Sequence, residues 1–148
     1  MKTVIVYASV HHGNTKKVVD AIAEKFDVDL IDATKVGERD LSGYDAIGFA
    51  SGIYKSKYHQ QLLNFVSVNL PQEKKVFLIT TYGSRRNYDK SILAAMHGRN
   101  AKIIGRFGCP GYDTFGPFRL IGGLKRGRPN EKDLAAAVEF YRKMKLDQ

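Results

Sequence analysis

The stretch Val4-Ile5-Val6-Tyr7-Ala8-Ser9-Val10-His11-His12-Gly13-Asn14-Thr15, "VIVYASVHHGNT" (residues 4–15), contains one complete turn of chain logic. Its first residues are apolar without alternation, which suits a strand buried on both faces, as in a parallel sheet covered by helices. The polar, glycine-containing run that follows opens directly into a helical pattern. Val18, Ile22 and Phe26 recur at i, i+4 and i+8, with Val19 and Ala23 widening the stripe. Buried strand, donor-rich turn and amphipathic helix make one strand–helix unit.

The same unit recurs along the chain. Ala46-Ile47-Gly48-Phe49-Ala50, Val76-Phe77-Leu78-Ile79, and Ile103-Ile104 with Phe107 are further continuous apolar runs. Val28, Leu30 and Ile31 make a shorter strand whose initial alternation points to an edge. Leu62, Leu63 and Val66 mark a second helix. Ile92, Leu93 and Met96 mark a third, with Gly98 as its C′ stop. A last helix is N-capped by Asn130 and turns Leu134, Val138 and Tyr141 inward. Around Gly37 to Gly43 no helical period is present, which predicts an irregular connection. The expectation is one α/β domain over residues 1–148, a doubly wound sandwich. Its five-stranded parallel sheet has the order 2-1-3-4-5, with helices on both faces. Such sheets bind ligands beyond the carboxyl ends of strands 1 and 3, where the strand order reverses.

Composition narrows the function classes. The 148 residues are 43% hydrophobic and 26% charged, ordinary for a globular protein. No run approaches the roughly 20 apolar residues that cross a bilayer, and the N-terminus is not signal-like. The lone Cys109 excludes an internal disulfide and offers no zinc-ligand spacing, so a reducing cytoplasm is expected. No metal site is expected either. Adjacent His11 and His12 point in different directions, and no acidic or cysteine ligand lies near them in sequence. Charge is the unusual feature: 24 Lys+Arg against 15 Asp+Glu give +9. Such a surplus attracts nucleic acid, anionic membrane or acidic proteins, although a solvated basic face explains it equally well.

Three segments fall at the predicted switch point. In residues 9–15, Gly13 allows close backbone approach, and Ser9, Asn14 and Thr15 supply side-chain donors. The helix N-terminus adds amides and the positive end of its dipole. That set suits a phosphate monoester; the competing reading is a polar turn capped by Ser or Asn. No Gly-Lys-Ser/Thr or Gly-x-Gly-x-x-Gly is present, which argues against a hydrolytic P-loop or a dinucleotide fingerprint. In the second segment, Ser51, Gly52, Ile53, Tyr54 and Lys55 could flank a flat heteroaromatic ring. Thr80, Thr81, Tyr82 and Gly83 offer another aromatic on its far side. Singly, each tyrosine reads as packing or surface. Together they point to a phosphorylated aromatic ligand.

These motifs resemble those of the flavodoxin family. "IVYASVHHGNTKKVVDAI" (5–22) is similar to the phosphate signature of FMN-binding flavodoxins, and "TTYGS" (80–84) to their loop with a flavin-stacking tyrosine. "YDAIGFASGIYKSKYHQQLLNFV" (44–66) resembles flavodoxin-domain oxidoreductases, including menaquinone-dependent protoporphyrinogen dehydrogenases. The resemblance implies a flavodoxin-like fold and FMN as cofactor. Its phosphate would lie on Ser9, Gly13, Asn14 and Thr15, with His11 or His12 beside it. Residues 51–55 and 80–83 would border the ring. This sequence departs from the pattern in three ways. Val10-His11-His12 is one residue longer than usual, and the chain is basic where flavodoxins are acidic. Tyr54-Lys55-Ser56 stands where flavodoxins often carry a glycine whose peptide responds to flavin reduction, implying weaker stabilisation of the one-electron-reduced flavin.

Function follows from this in three classes. The first is an FMN-binding redox protein carrying electrons from a cellular donor to a protein or a quinone-type small molecule. The alternative is an FMN-dependent quinone or protoporphyrinogen-type oxidoreductase with its own substrate pocket. The third is a basic, non-flavin binding module on the same scaffold. Partners would be acidic proteins, quinone-type molecules or an anionic membrane surface. Nucleic acid fits poorly, because the aromatics cluster at sheet ends instead of interleaving with basic residues. No catalytic acid or base stands out. The glycine-, aromatic- and arginine-rich stretch 108–129, with Tyr112, Phe115, Phe118, Arg119, Leu120, Ile121, Lys125, Arg126 and Arg128, is either a cap over the ring or a self-packed loop.

Overall fold

The computed structural model describes residues 1–10, 12–112 and 127–148. Residues 113–126 and His11 therefore lie outside the described residues, and with them the readings placed on Phe115, Phe118, Arg119, Leu120, Ile121, Lys125 and Arg126. The elements are β1 (Thr3–Ala8), α1 (Asn14–Lys25), β2 (Asp29–Asp32), β3 (Ala46–Tyr54), β4 (Lys57–Tyr58), α2 (Gln60–Asn69), β5 (Lys75–Tyr82), α3 (Asp89–Ala95), β6 (Lys102–Pro110) and α4 (Glu131–Leu146). The main sheet has the order β2-β1-β3-β5-β6, all pairs parallel, which is the expected 2-1-3-4-5 with β5 and β6 as the fourth and fifth strands. One strand was not foreseen. The short β4 pairs antiparallel with the end of β3, closing a hairpin through Tyr54 and Lys57.

Continuous apolarity gave the central strands because both of their faces are covered. Val4, Val6, Ile47, Phe49, Val76 and Leu78 face α2 and α3, while Ile5, Ala46, Phe77 and Ile79 face α1 and α4. The connection between β2 and β3 is irregular, as the missing period implied. β6 differs from its reading as a doubly buried strand. It is the sheet edge, so Ile103, Ile104 and Phe107 are only half-buried, and a bulge shifts its register opposite Val76 and Phe77.

Two helices present slightly different faces from those predicted. In α4 the fully covered stripe is Asp133, Ala137, Tyr141 and Met144, with Leu134 and Val138 flanking it. The Tyr141 hydroxyl donates to Thr3 Oγ1 (3.0 Å), so two buried polar groups satisfy each other across α4 and β1. In α3, Leu93 points outward and Gly98 (φ 80) stands beyond the C-cap Met96, not at C′.

Asn130 caps α4 as expected, in a full capping box with Asp133. Asp133 also takes a two-pronged bond from Arg128 (Nε–Oδ2 2.6 Å, Nη2–Oδ1 2.7 Å), anchoring the chain just before the helix. The Arg128 guanidinium, and then the Asn130 amide, hold its carboxyl below the usual carboxylate range, against an opposing effect of desolvation. A lowered folded pKa adds stability that is present above the ordinary value of roughly 4 and lost as pH falls through the folded value. Asp133→Ala is therefore expected to lower stability by about 1–2 kcal/mol at neutral pH. Urea midpoints measured across the acid limb should show the variant losing less below that pH than the parent protein.

Candidate functional site

The carboxyl ends of β1, β3 and β5 lie side by side, and the segments after them form one surface at the reversal between β1 and β3. The first segment is a tight turn. His12 (φ 53) and Gly13 (φ 65) are both left-handed, and Gly13 is the N-cap of α1 without a side-chain cap of its own. The capping role passes to Ser9, whose Oγ accepts the Lys16 amide at 3.0 Å. The Asn14 and Thr15 amides, ahead of the helical ladder, are left to lead α1.

The other side chains of this turn build it more than they project from it. Asn14 Nδ2 donates to the Tyr112 carbonyl (2.8 Å), and its Oδ1 is buried without a hydrogen-bond partner. Thr15 is buried, its hydroxyl 2.9 Å from that of Thr81, so the pair joins the start of α1 to the end of β5. The His12 ring lies 4.1 Å from that of Tyr112. Tyr112 in turn donates its amide to the Arg128 carbonyl (2.8 Å). Gly111 sits so close beneath Asn14 that a Cβ there would come within 2.6 Å of Nδ2. Sequence reasoning placed Tyr112 in the late stretch but not against this turn. Its contacts span nearly a hundred positions, and no local period marks them.

Residues 51–54 prove to be the end of β3, not a loop. Ser51 is fully buried; its hydroxyl donates to the Gly52 carbonyl (2.6 Å) and accepts the His59 amide (2.9 Å). It therefore pins β3 to the N-cap of α2. Ile53 packs toward the α2 face, and Tyr54 folds back over Gly52 with its ring edge-on to His59 at 5.5 Å. Lys55 (φ 50) and Ser56 (φ 66) form the two-residue turn of the hairpin. Such turns require positive φ at both positions and usually carry Asn-Gly. A non-glycine residue costs energy to reach positive φ, and the chain adopts it at both Lys55 and Ser56.

Residues 80–82 likewise belong to β5, and Gly83 begins the bend after it. Thr81 faces Thr15, whereas Thr80 and Tyr82 face the other way, against Gly108 of β6. The Tyr82 ring is half-buried and 6.2 Å from that of Tyr88. Burial raises its phenol pKa, opposed by the nearby Arg85. Beside Tyr82 opens a cavity of about 350 Å³ lined by Arg85, Cys109, Arg128 and Asp133. Lys55, Arg85 and Arg86 are exposed around this end of the sheet, so its rim is basic.

Those strand ends, and the turn that opens α1, are the parts of the chain where a flavodoxin-domain family model aligns, over residues 4–111. The chain belongs to the flavodoxin-domain family. An uncharacterised protein of Methanocaldococcus jannaschii is 37% identical over 143 residues, covering 95% of each chain. Among solved structures, the flavodoxin of Streptococcus pneumoniae TIGR4 superposes with a TM-score of 0.67 at 17% identity over 100% of both chains. A flavodoxin from the domain Archaea gives 0.63 at 21% identity, over 98% of this chain and 99% of that one. The fold is flavodoxin-like.

Within this flavodoxin-domain chain, Cys109 is buried, and desolvation pushes its thiol up to about 12, with Asp133 adding to the effect. The thiolate fraction at neutral pH is then on the order of one in 10⁵. A thiol reagent such as dithionitrobenzoate should leave the native protein unlabelled over hours and label it at once in denaturant. Rapid native labelling would mean that the thiol is open to solvent and reactive. Among the described residues no group of three or more His, Cys, Asp or Glu could hold a metal ion.

Proposed function

We propose that the chain binds FMN at the ends of β1, β3 and β5 and transfers electrons between a cellular donor and a protein or quinone-type acceptor. The observation that carries this reading is the turn into α1. Gly13 is left-handed, Ser9 caps the Lys16 amide, and the leading amides of Asn14 and Thr15 stand at the strand reversal. A twelve-residue helix opened in this way presents N–H donors and a positive dipole end to an anion. The residues fit the group with one adjustment to the expected roles. Phosphate would rest on backbone amides of residues 13–15 and the Ser9 hydroxyl proton, with His12 at the rim. The Thr15 hydroxyl and the Asn14 amide group support the turn from behind. Tyr54 and Tyr82, from β3 and β5, would flank the ring, with Lys55 and Arg85 supplying positive charge.

FMN supplies one- and two-electron chemistry when bound, while the protein positions it and sets its electrostatic surroundings. The basic rim suits an acidic partner or an anionic membrane surface, and it would repel the basic reductases on which acidic carriers dock. A cytoplasmic location accords with the single cysteine, and no helix among the described residues is long and apolar enough to cross a membrane.

One observation favours the enzyme reading within this proposal. The cavity beside Tyr82 gives a small substrate room next to the expected ring position. The visible spectrum of the purified protein, before and after adding FMN, tests the proposal. Flavin absorbance that stays with the protein through gel filtration is the expected result. A colourless protein that ignores added FMN would leave the basic binding module as the better reading. Turnover of a soluble quinone by the reduced flavoprotein, without a second protein, would separate enzyme from carrier.

A further inference from the structure

A second cavity, about 290 Å³, lies under residues 83–88 on the face of the sheet covered by α2 and α3. It shares the Tyr82 ring with the flavin site proposed above but does not include the turn into α1. Leu78, Thr80 and Gly108 lie along its sheet side, and Arg85, Arg86 and Arg106 bring three guanidinium groups to it. Asp89 is the acidic group on the wall, bonded to Arg106 through Nε at 2.7 Å. Among the described residues Arg106 makes no second ion pair. Arg85 has no acidic partner among the described residues.

Tyr58 belongs to the same wall and is 2% exposed. Its backbone is fixed by β4 pairing and by the bond from its amide to Ser91 Oγ (3.1 Å). Its hydroxyl is buried without a hydrogen-bond partner. A buried phenol left unpaired in a native protein is uncommon, because it loses water without recovering a bond. Here Tyr58 lines the same cavity as Arg106 and Asp89. A phenol donor and a guanidinium fork together are complementary to an oxyanion, and the apolar side of the cavity calls for an organic body behind it.

We propose that this cavity binds a small organic carboxylate. Its oxyanion is held by the Tyr58 hydroxyl and Arg106, with Arg85 at the mouth and the body resting on Leu78 and Tyr82. A cavity of this size is at the lower end of the range for small-molecule sites, so the ligand is of roughly benzoate size. The site shares Tyr82 and Arg85 with the flavin reading but does not need FMN to be bound.

Benzoate is the probe, titrated calorimetrically into the purified protein at low salt, with inorganic phosphate as the comparison anion. One-to-one benzoate binding is expected. It should weaken at least tenfold in Tyr58→Phe and in Arg85→Gln, and phosphate should bind more weakly than benzoate. Tyr58→Phe should also unfold at a higher temperature than the parent, because it removes the unpaired hydroxyl and keeps the ring. Saturating FMN should leave benzoate binding in place. The benzoate result stands whether or not FMN binds, so a failure of either proposal is separable from the other. No benzoate binding, or binding unchanged in Tyr58→Phe, would overturn the site and leave Tyr58 a packing residue. Phosphate binding as tight as benzoate would overturn the carboxylate assignment. Displacement of benzoate by FMN would place the cavity within the flavin pocket and overturn its independence.

Discussion

Adding a single methyl group at Gly48 is expected to destabilise the protein by about 1–3 kcal/mol, and removing the ring of Phe77 by about 3–5 kcal/mol. Gly48 sits in the middle of β3, directly opposite Phe77 in the parallel register with β5. A Cβ on Gly48 would lie 2.4 Å from both Cε2 and Cζ of that ring, well inside contact distance. The ring has little room to retreat. Phe77 is fully buried, with the rings of Tyr141 and Phe140 5.9 and 6.4 Å away on the α4 side. Glycine here is the complement of a large side chain on the next strand and has no turn to make. The double variant Gly48→Ala/Phe77→Ala should therefore lose less than the sum of the two single losses, because the methyl enters space the ring has left. Urea unfolding of the four proteins gives the coupling directly. Strict additivity would mean that the ring relieves the contact by moving in the parent fold.

The second large effect concerns the ligand. Riboflavin is expected to bind at least about 100-fold more weakly than FMN. Two charge-assisted bonds from leading amides, at about 1.5–3 kcal/mol each, give about 3 kcal/mol or more, which is two decades of affinity. Gly13 tests the same point from the protein side. A β-branched residue is strained at its φ of 65, so Gly13→Val should weaken FMN while leaving riboflavin nearly unchanged. Raised salt should narrow the gap between the two flavins, since the rim carries Lys55, Arg85 and Arg86. Equal affinity for FMN and riboflavin would remove phosphate from the reading of the turn.

Sheet order and helix placement were legible in the sequence because continuous apolar runs and helical stripes are local signals. Val4 to Tyr7, Ala46 to Ala50 and Val76 to Ile79 are strands because nothing else buries such runs on both faces. The turn at residues 9–15 was legible for a similar reason: glycine and small polar residues between strand and helix have few other uses. Orientation within that turn was not legible. Whether Asn14 faces a ligand or the Tyr112 carbonyl depends on chain nearly a hundred positions away, and Thr15 is directed by Thr81. Ser51 shows the same limit, since its partners Gly52 and His59 meet only when the unforeseen β4 folds back on β3. Tyr58 gave no signal at all. An isolated tyrosine between Lys57 and His59 reads as surface, and it is the packing of α3 against β4 that covers it.

The bond between the Tyr112 amide and the Arg128 carbonyl has a bearing on how this chain can be altered. The chain leaves β6 at one side of that bond and enters α4 at the other, where Arg128 is gripped by Asp133. Everything between is thus a closed excursion whose two ends already meet, and shortening or exchanging it adds only a slowly varying closure cost. The chain has in effect a socket. Sequences of different length could be joined between these ends by recombination without disturbing the pairing of the six strands. Related chains could therefore share this sheet and turn while differing freely in the length of chain between these two residues.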